Sequence, residues 1–188
     1  MARAVESSDA LVAVCDLDGT LIDSDAALAA AFIALGVDPQ EITFGHVLAT
    51  ECLRLEVDVA DYIDAYDATM ARPFDGVEEL VAALGRWAVC SNKYPDSGNC
   101  ELTRLSWSPE VALFADAFDG AKSLVPVLDA LGLEADRIVF LGDTSHDREC
   151  ARAVGATFAL AGWNPRAEAL PGDLVLERPG DLLALLGR

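Results

Sequence analysis

One rhythm in the sequence constrains the fold more than any other feature. Short, almost continuously apolar runs at Leu11–Cys15, Trp87–Cys90, Ile138–Leu141, Thr157–Leu160 and Leu174–Leu176 alternate with helical stretches at Gly76–Leu84, Leu124–Leu131 and His146–Val154. Runs that are apolar at every position, rather than at every second one, fit strands buried on both faces. Such strands joined through helices build a parallel sheet covered on both sides. The expected fold class is therefore α/β, with a doubly wound, Rossmann-like parallel-sheet core.

The rhythm is interrupted once. Between Ser24 and Arg72 the sequence offers three helix candidates and no convincing strand. Ser24 is placed to cap a helix running to Leu35, with Gly36 as its stop; Asp38-Pro39 pairs an N-cap residue with proline at the first helical position; Asp58 or Asp61 opens a third helix. A crossover between parallel strands needs only about a dozen residues. The excess predicts a small helical cap, residues 24–72, inserted after the first strand into a core made of residues 1–23 and 73–188.

Composition narrows the partners. Thirteen basic residues against 32 acidic ones give a formal charge of −19, which repels nucleic acid and anionic membrane surfaces. An anionic substrate must then be drawn in by a local positive centre, which a bound cation would supply. Cys15, Cys52, Cys90, Cys100 and Cys150 are odd in number and show no metal-like spacing, as expected of reduced thiols in a cytoplasmic protein. The first ten residues lack an apolar signal core, and the longest apolar run, Ala26–Val37, is too short to span a bilayer. Oligomeric state is not legible.

In an open parallel sheet, ligands bind beyond the carboxyl ends of the strands. After the first run comes Asp16-Leu17-Asp18-Gly19-Thr20; after the second, Ser91-Asn92-Lys93; after the third, Gly142-Asp143-Thr144-Ser145-His146-Asp147. Carboxylates two residues apart leaving a strand point to one side, and Gly19 permits the turn that lets both face the crevice. Alone, Asp18-Gly19 would read as an ordinary turn. Four converging acids, Asp16, Asp18, Asp143 and Asp147, would repel one another in a partly buried site unless a hard cation neutralised them, and oxygen-only ligation favours Mg²⁺.

Asp16-Leu17-Asp18-Gly19-Thr20-Leu21 resembles the D-x-D-G-T signature of the haloacid dehalogenase superfamily. Ser91-Asn92 resembles its second motif and Gly142-Asp143 through Asp147 its fourth, in the order and separation of the phosphoglycolate-phosphatase-like group, so the resemblance covers nearly the whole chain. It implies a Mg²⁺-dependent phosphatase acting on a small phosphorylated metabolite. In that scheme Asp16 is the nucleophile that becomes an aspartyl phosphate. Asp18 protonates the leaving alcohol and then deprotonates water. Asp16, Asp143 and the backbone carbonyl of Asp18 hold the metal, and Asp147 supports it. Ser91 and Asn92 face the phosphoryl oxygens on the substrate side, where Thr20 orients the loop rather than touching phosphorus.

The third motif departs from the family pattern, because no proline-rich lysine loop is present. The chain has two lysines, Lys93 and Lys122. Lys122, at the head of a helix whose Leu124, Leu128 and Leu131 face the core, is the preferred catalytic lysine; Lys93 is the alternative. His146 is read as a neighbour of a helix cap, and His46, like Arg54, Tyr62, Tyr66 and Arg72, as a residue of the cap with packing or solvent as its default. The resemblance leaves two other readings open, a phosphomutase of the same superfamily and a non-catalytic phospho-aspartate receiver. Asp18 argues against a dehalogenase, whose halide needs no proton to leave, and the absence of lysine between Ser24 and Arg72 excludes a Schiff-base phosphonatase.

Overall fold

The computed structural model describes residues 10–44, 47–120 and 122–188. Strand β1 (Val12–Cys15) is followed by a short antiparallel ribbon of β2 (Ile22–Asp23) and β3 (Arg72–Pro73), then by β4 (Trp87–Cys90), β5 (Val111–Leu113), β6 (Ile138–Gly142), β7 (Thr157–Ala161) and β8 (Leu174–Leu176). All but the ribbon form one parallel sheet in the order β5-β4-β1-β6-β7-β8. Each of the five strands expected from the sequence is present, displaced by no more than a residue at an end.

The helices are α1 (Asp25–Ala34), α2 (Leu48–Arg54), α3 (Val59–Ala65), α4 (Val77–Ala83), α5 (Pro95–Arg104), α6 (Val125–Leu131), α7 (Ser145–Val154) and α8 (Asp181–Leu185). Successive side chains of a strand point to opposite faces, and the core divides accordingly. Ala13 and Cys15 of β1 pack with residues of α4, α5 and α8. Val12 and Val14 pack with residues of α6 and α7. The fold is the doubly wound α/β architecture that the alternation predicts. Among the described residues, no helix is long and apolar enough to cross a membrane.

The chain from α1 to α3 lies between the two strands of the ribbon, and Ala31, Phe32, Cys52 and Tyr62 form a separate apolar cluster there. Two local expectations are corrected in this segment. Ser24 occupies the N-cap position of α1, but its ψ of 0 withholds the side-chain cap, and its buried hydroxyl makes no hydrogen bond among the described residues. Asp38-Pro39 opens only a 3₁₀ turn, Pro39–Glu41, because Ile42 leaves it in extended geometry and Thr43 is tied through its N–H and hydroxyl to the Glu51 carboxylate at 2.9 and 2.8 Å. The helix proper begins at Leu48. Asp58 does cap α3, accepting from the Ala60 N–H.

Besides the two strands of the ribbon, α5, β5 and α8 were not foreseen. The sequence of α5 is rich in Pro, Asp, Ser, Gly and Asn, poor helix formers in isolation, and tertiary packing decides its state. Gly98 lies in α5 against the buried ring of Phe114, where a Cβ would stand 2.3 Å from Phe114 Cε1. Strand β5 and helix α8 are too short to carry a periodic signal. We expect Gly98→Ala to destabilise the fold by about 1–2 kcal/mol, the overpacking cost exceeding alanine's better helix propensity; urea unfolding that shows equal or greater stability would contradict this packing.

Candidate active site

Chain order fixes where the site lies. From β1 the chain proceeds to β4 and β5 on one side of the sheet, then returns to β6 and continues outward on the other. The crevice beyond the carboxyl ends of β4, β1 and β6 is thus the switch point of the sheet, the expected ligand position. Asp16, Ser91 and Asp143 each directly follow one of these strands.

A tight turn brings the first motif over the crevice. The Asp16 N–H donates to Leu141 O at 2.9 Å, the Leu21 N–H returns to Leu17 O at 2.9 Å, and Gly19 adopts a φ of +76°. A Cβ on Gly19 would also lie 2.4 Å from Asp143 Oδ2. Glycine is therefore demanded here by both conformation and space.

Asp16, Asp143 and Asp147 each bring a carboxylate oxygen to within 4.8 Å of the others, and all three are buried. Asp143 is held from behind by the Thr20 hydroxyl, which donates to Oδ1 at 3.0 Å, and by Asn164 Nδ2, which donates to Oδ2 at 2.8 Å. Asp147 sits in the first turn of α7, where one oxygen accepts from the Thr144 N–H at 3.0 Å and from the Thr144 hydroxyl at 2.6 Å in a reciprocal capping box. Its other oxygen accepts from Lys122. The Lys122 ammonium lies 3.2 Å from Asp16 Oδ1, with its side chain only 4% exposed.

Electrostatics follow from burial. Desolvation pushes the Asp16 carboxyl up to about 6, with Lys122 opposing the rise and Asp147 adding to it. Desolvation likewise raises Asp143 to about 7, reinforced by the charges of Asp16 and Asp147. Burial works against the Lys122 charge, but Asp147 and Asp16 outweigh it and hold the ammonium above the usual lysine range. Carboxyls raised in this way need countercharge to ionise, so the donor set of Asp16 and Asp143 suits a hard divalent cation.

The other lysine serves the other aspartate. Lys93 Nζ lies 2.8 Å from Asp18 Oδ1 and 3.2 Å from Glu101 Oε2, and donates to the Tyr66 hydroxyl at 3.0 Å. Tyr66 in turn donates to Glu101. Burial pushes Glu101 up to about 7, with Lys93 opposing. The Asp18 carboxylate thus stands apart from the three-carboxylate group.

Of the remaining sequence-derived residues, Ser91 is buried at the end of β4, where its hydroxyl accepts from the Lys93 N–H at 3.3 Å. Asn92 borders the same cavity, and its buried Oδ1 has no hydrogen-bond partner among the described residues. Thr20 is fully buried behind Asp143, so it positions a carboxylate and does not face the crevice. His146 is exposed at the cavity mouth beside the Thr144 cap, and His46 lies outside the described residues. Asn164, Glu101 and the polar role of Tyr66 were missed. Asn164 was findable, since it follows β7 and the strand-end rule extends to that strand. Glu101 lies within an unrecognised helix and offered no signal.

Side chains from the β2–β3 segment close over these groups and leave a cavity of about 690 Å³. A sequence model of the haloacid dehalogenase-like hydrolase family matches residues 13–161. The chain is 26% identical to N-acetylmuramic acid 6-phosphate phosphatase of Pseudomonas aeruginosa, over 92% of this chain and 93% of that protein. It is 29% identical to phosphoglycolate phosphatase of Aquifex aeolicus, over 93% and 96%. Its fold is similar to that of a haloacid dehalogenase-like hydrolase from Streptococcus pneumoniae, with a TM-score of 0.77 at 18% identity over 95% of this chain and 99% of that one.

Because Asn164 Nδ2 also donates to Gly19 O at 2.8 Å, it clamps the first-motif turn to Asp143. Asn164→Ala should cost about 1–3 kcal/mol of stability, as expected when buried acceptors lose their donor. Denaturant unfolding checks this, and a variant as stable as the parent would show the clamp to be dispensable.

Proposed function

The chain belongs to the haloacid dehalogenase-like hydrolases, and on that premise we propose that it is a Mg²⁺-dependent phosphatase that cleaves a small phosphomonoester through an aspartyl phosphate on Asp16. The observation that carries this reading is the separation of two charged networks within one motif: Asp16 beside Lys122 and Asp143, and Asp18 beside Lys93. Nucleophile and proton carrier must lie close together yet differ in surroundings, and these two do.

In the proposed reaction the Asp16 carboxylate attacks phosphorus in line and the bond to the leaving alcohol breaks, with Asp18 delivering the proton that makes the alcohol neutral. Water then attacks phosphorus of the acyl phosphate while Asp18 takes its proton back, releasing phosphate and restoring Asp16. Asp18 must therefore carry the proton in the first step and be without it at the start of the second. Lys122, Ser91 and Asn92 offset and orient the phosphoryl charge, Lys122 also relieving repulsion between Asp16 and the incoming dianion. Asp16, Asp143 and the Asp18 backbone carbonyl would hold Mg²⁺, with Asp147 in support. When bound, the ion supplies charge neutralisation at the phosphoryl oxygens. Residues 24–72 would act as a cap over the crevice, hinged where β2 pairs with β3. The phosphate-ester substrates in the names of the two relatives support this class of reaction, and five free thiols fit a cytoplasmic setting.

Turnover of p-nitrophenyl phosphate with magnesium tests the reading. Asp16→Asn should lower it by at least about 10³-fold while leaving the fold intact, and excess chelator should silence the parent enzyme. Substantial activity in either case would refute the assignment.

The two lysines supply a sharper check. Lys122→Ala should cost about 10²–10³ in kcat and clearly more than Lys93→Ala, measured side by side. If Lys93→Ala proves the more damaging, the positive centre lies at Lys93 and the roles assigned here are reversed.

A further inference from the structure

Part of the cavity lining is largely apolar. To this lining the segment from α1 to α2 contributes Leu28, Phe32, Ile42, Phe44 and Leu48, with Thr43 among them. The described cations that border the cavity are Lys93, Lys122, Arg148 and Arg166, and each is already engaged. Lys122 is shared by Asp16 and Asp147, and Lys93 by Asp18 and Glu101. Arg148 donates to both Asp173 oxygens, at 2.9 Å from Nε and 2.7 Å from Nη2, and from Nη2 to Glu168 O at 2.9 Å. Arg166 is paired with Asp25 and stacks over the Phe44 ring, 4.5 Å from its centroid. Asp25, Glu51 and Glu168 border the same space.

A second negative charge on the substrate, beyond the phosphate, would meet apolar surface, carboxylates and neutral hydroxyls among the described residues, and no lysine or arginine that is not already paired. Desolvating it without a partner is costly, and recruiting Arg148 or Arg166 would strip Asp173 or Asp25 of its own. The volume of about 690 Å³ also lies well inside the roughly 300–1,000 Å³ range of pockets that hold drug-sized molecules, which a two-carbon alcohol would leave largely unfilled.

Resting on the phosphatase reading above, we infer that the alcohol half of the substrate is bulky, uncharged and largely apolar, and that its apolar part lies against Leu48 and its neighbours. An enzyme of this kind discriminates against a small anionic alcohol such as glycolate.

Three alkyl phosphates separate size from charge: benzyl phosphate, ethyl phosphate and phosphoglycolate, assayed as phosphate release with magnesium. Expected is a kcat/KM for benzyl phosphate about tenfold or more above that for ethyl phosphate, with phosphoglycolate lowest. Leu48→Ala, at a half-buried position, should raise KM for benzyl phosphate about tenfold and leave ethyl phosphate within about twofold. Phosphoglycolate equal to or better than benzyl phosphate would overturn the substrate class while leaving the phosphatase intact, as would a Leu48→Ala effect equal on both neutral esters. No release from any of the three above the Asp16→Asn background would overturn the phosphatase reading itself.

Discussion

The structure depends on keeping several carboxylates together, out of water, at the ends of adjacent strands. Removing an ion from water costs several kcal/mol even after relaxation, and only close partners offset it. In a chain of charge −19 with two lysines, both lysines are spent here, with side chains 3% and 4% exposed. Each stands between two carboxylates: Lys122 between Asp16 and Asp147, Lys93 between Asp18 and Glu101. The acidic surface elsewhere needs no such care, since water solvates it.

That constraint explains local features which otherwise look unrelated. Asp147 both caps α7 and fixes Lys122, so the helix start and the position of the ammonium are set by one residue. A Cβ on Gly142 would stand 2.4 Å from the Asp147 Cβ, hence a glycine ends β6. Thr20 and Asn164 perform for Asp143 what Lys122 does for Asp16 and Asp147, with neutral donors in place of a charge. A second positive group behind Asp143 would compete with a metal ion in front of it, whereas a hydroxyl and an amide orient the carboxylate and leave its charge available.

Much of this was legible in the sequence for a physical reason. Doubly buried strands must be apolar throughout, so Val12–Cys15, Trp87–Cys90 and Ile138–Gly142 announce themselves, and the polar residues that follow them stand out as a site. What stayed hidden had no local cause. Nothing in Pro95–Arg104 favours helix strongly, so α5 and the Glu101 it carries come from packing against Phe114 and the sheet. Ser24 has the composition of a cap and the wrong backbone angle for one. Asp38-Pro39 starts a turn that Glu51, thirteen residues away, bends out of helical geometry through Thr43. Asn164 has such a local cause, since it follows β7 as Asp143 follows β6.

The two lysine networks also differ in what they touch. Lys122, Asp16, Asp143 and Asp147 are held by residues of the sheet and its flanking helices. Lys93 and Glu101 meet Tyr66, which comes from the far end of the β2–β3 segment and packs on Tyr62 with ring centroids 6.2 Å apart. If that segment moves as a cap, its motion alters the surroundings of Asp18 and leaves those of Asp16 in place. Binding of the phosphoryl group would then be a fixed property of the core, while proton delivery to the alcohol would depend on closure, which the alcohol itself promotes by filling the apolar wall. Such coupling ties catalysis to the correct leaving group without any contact between that group and the nucleophile.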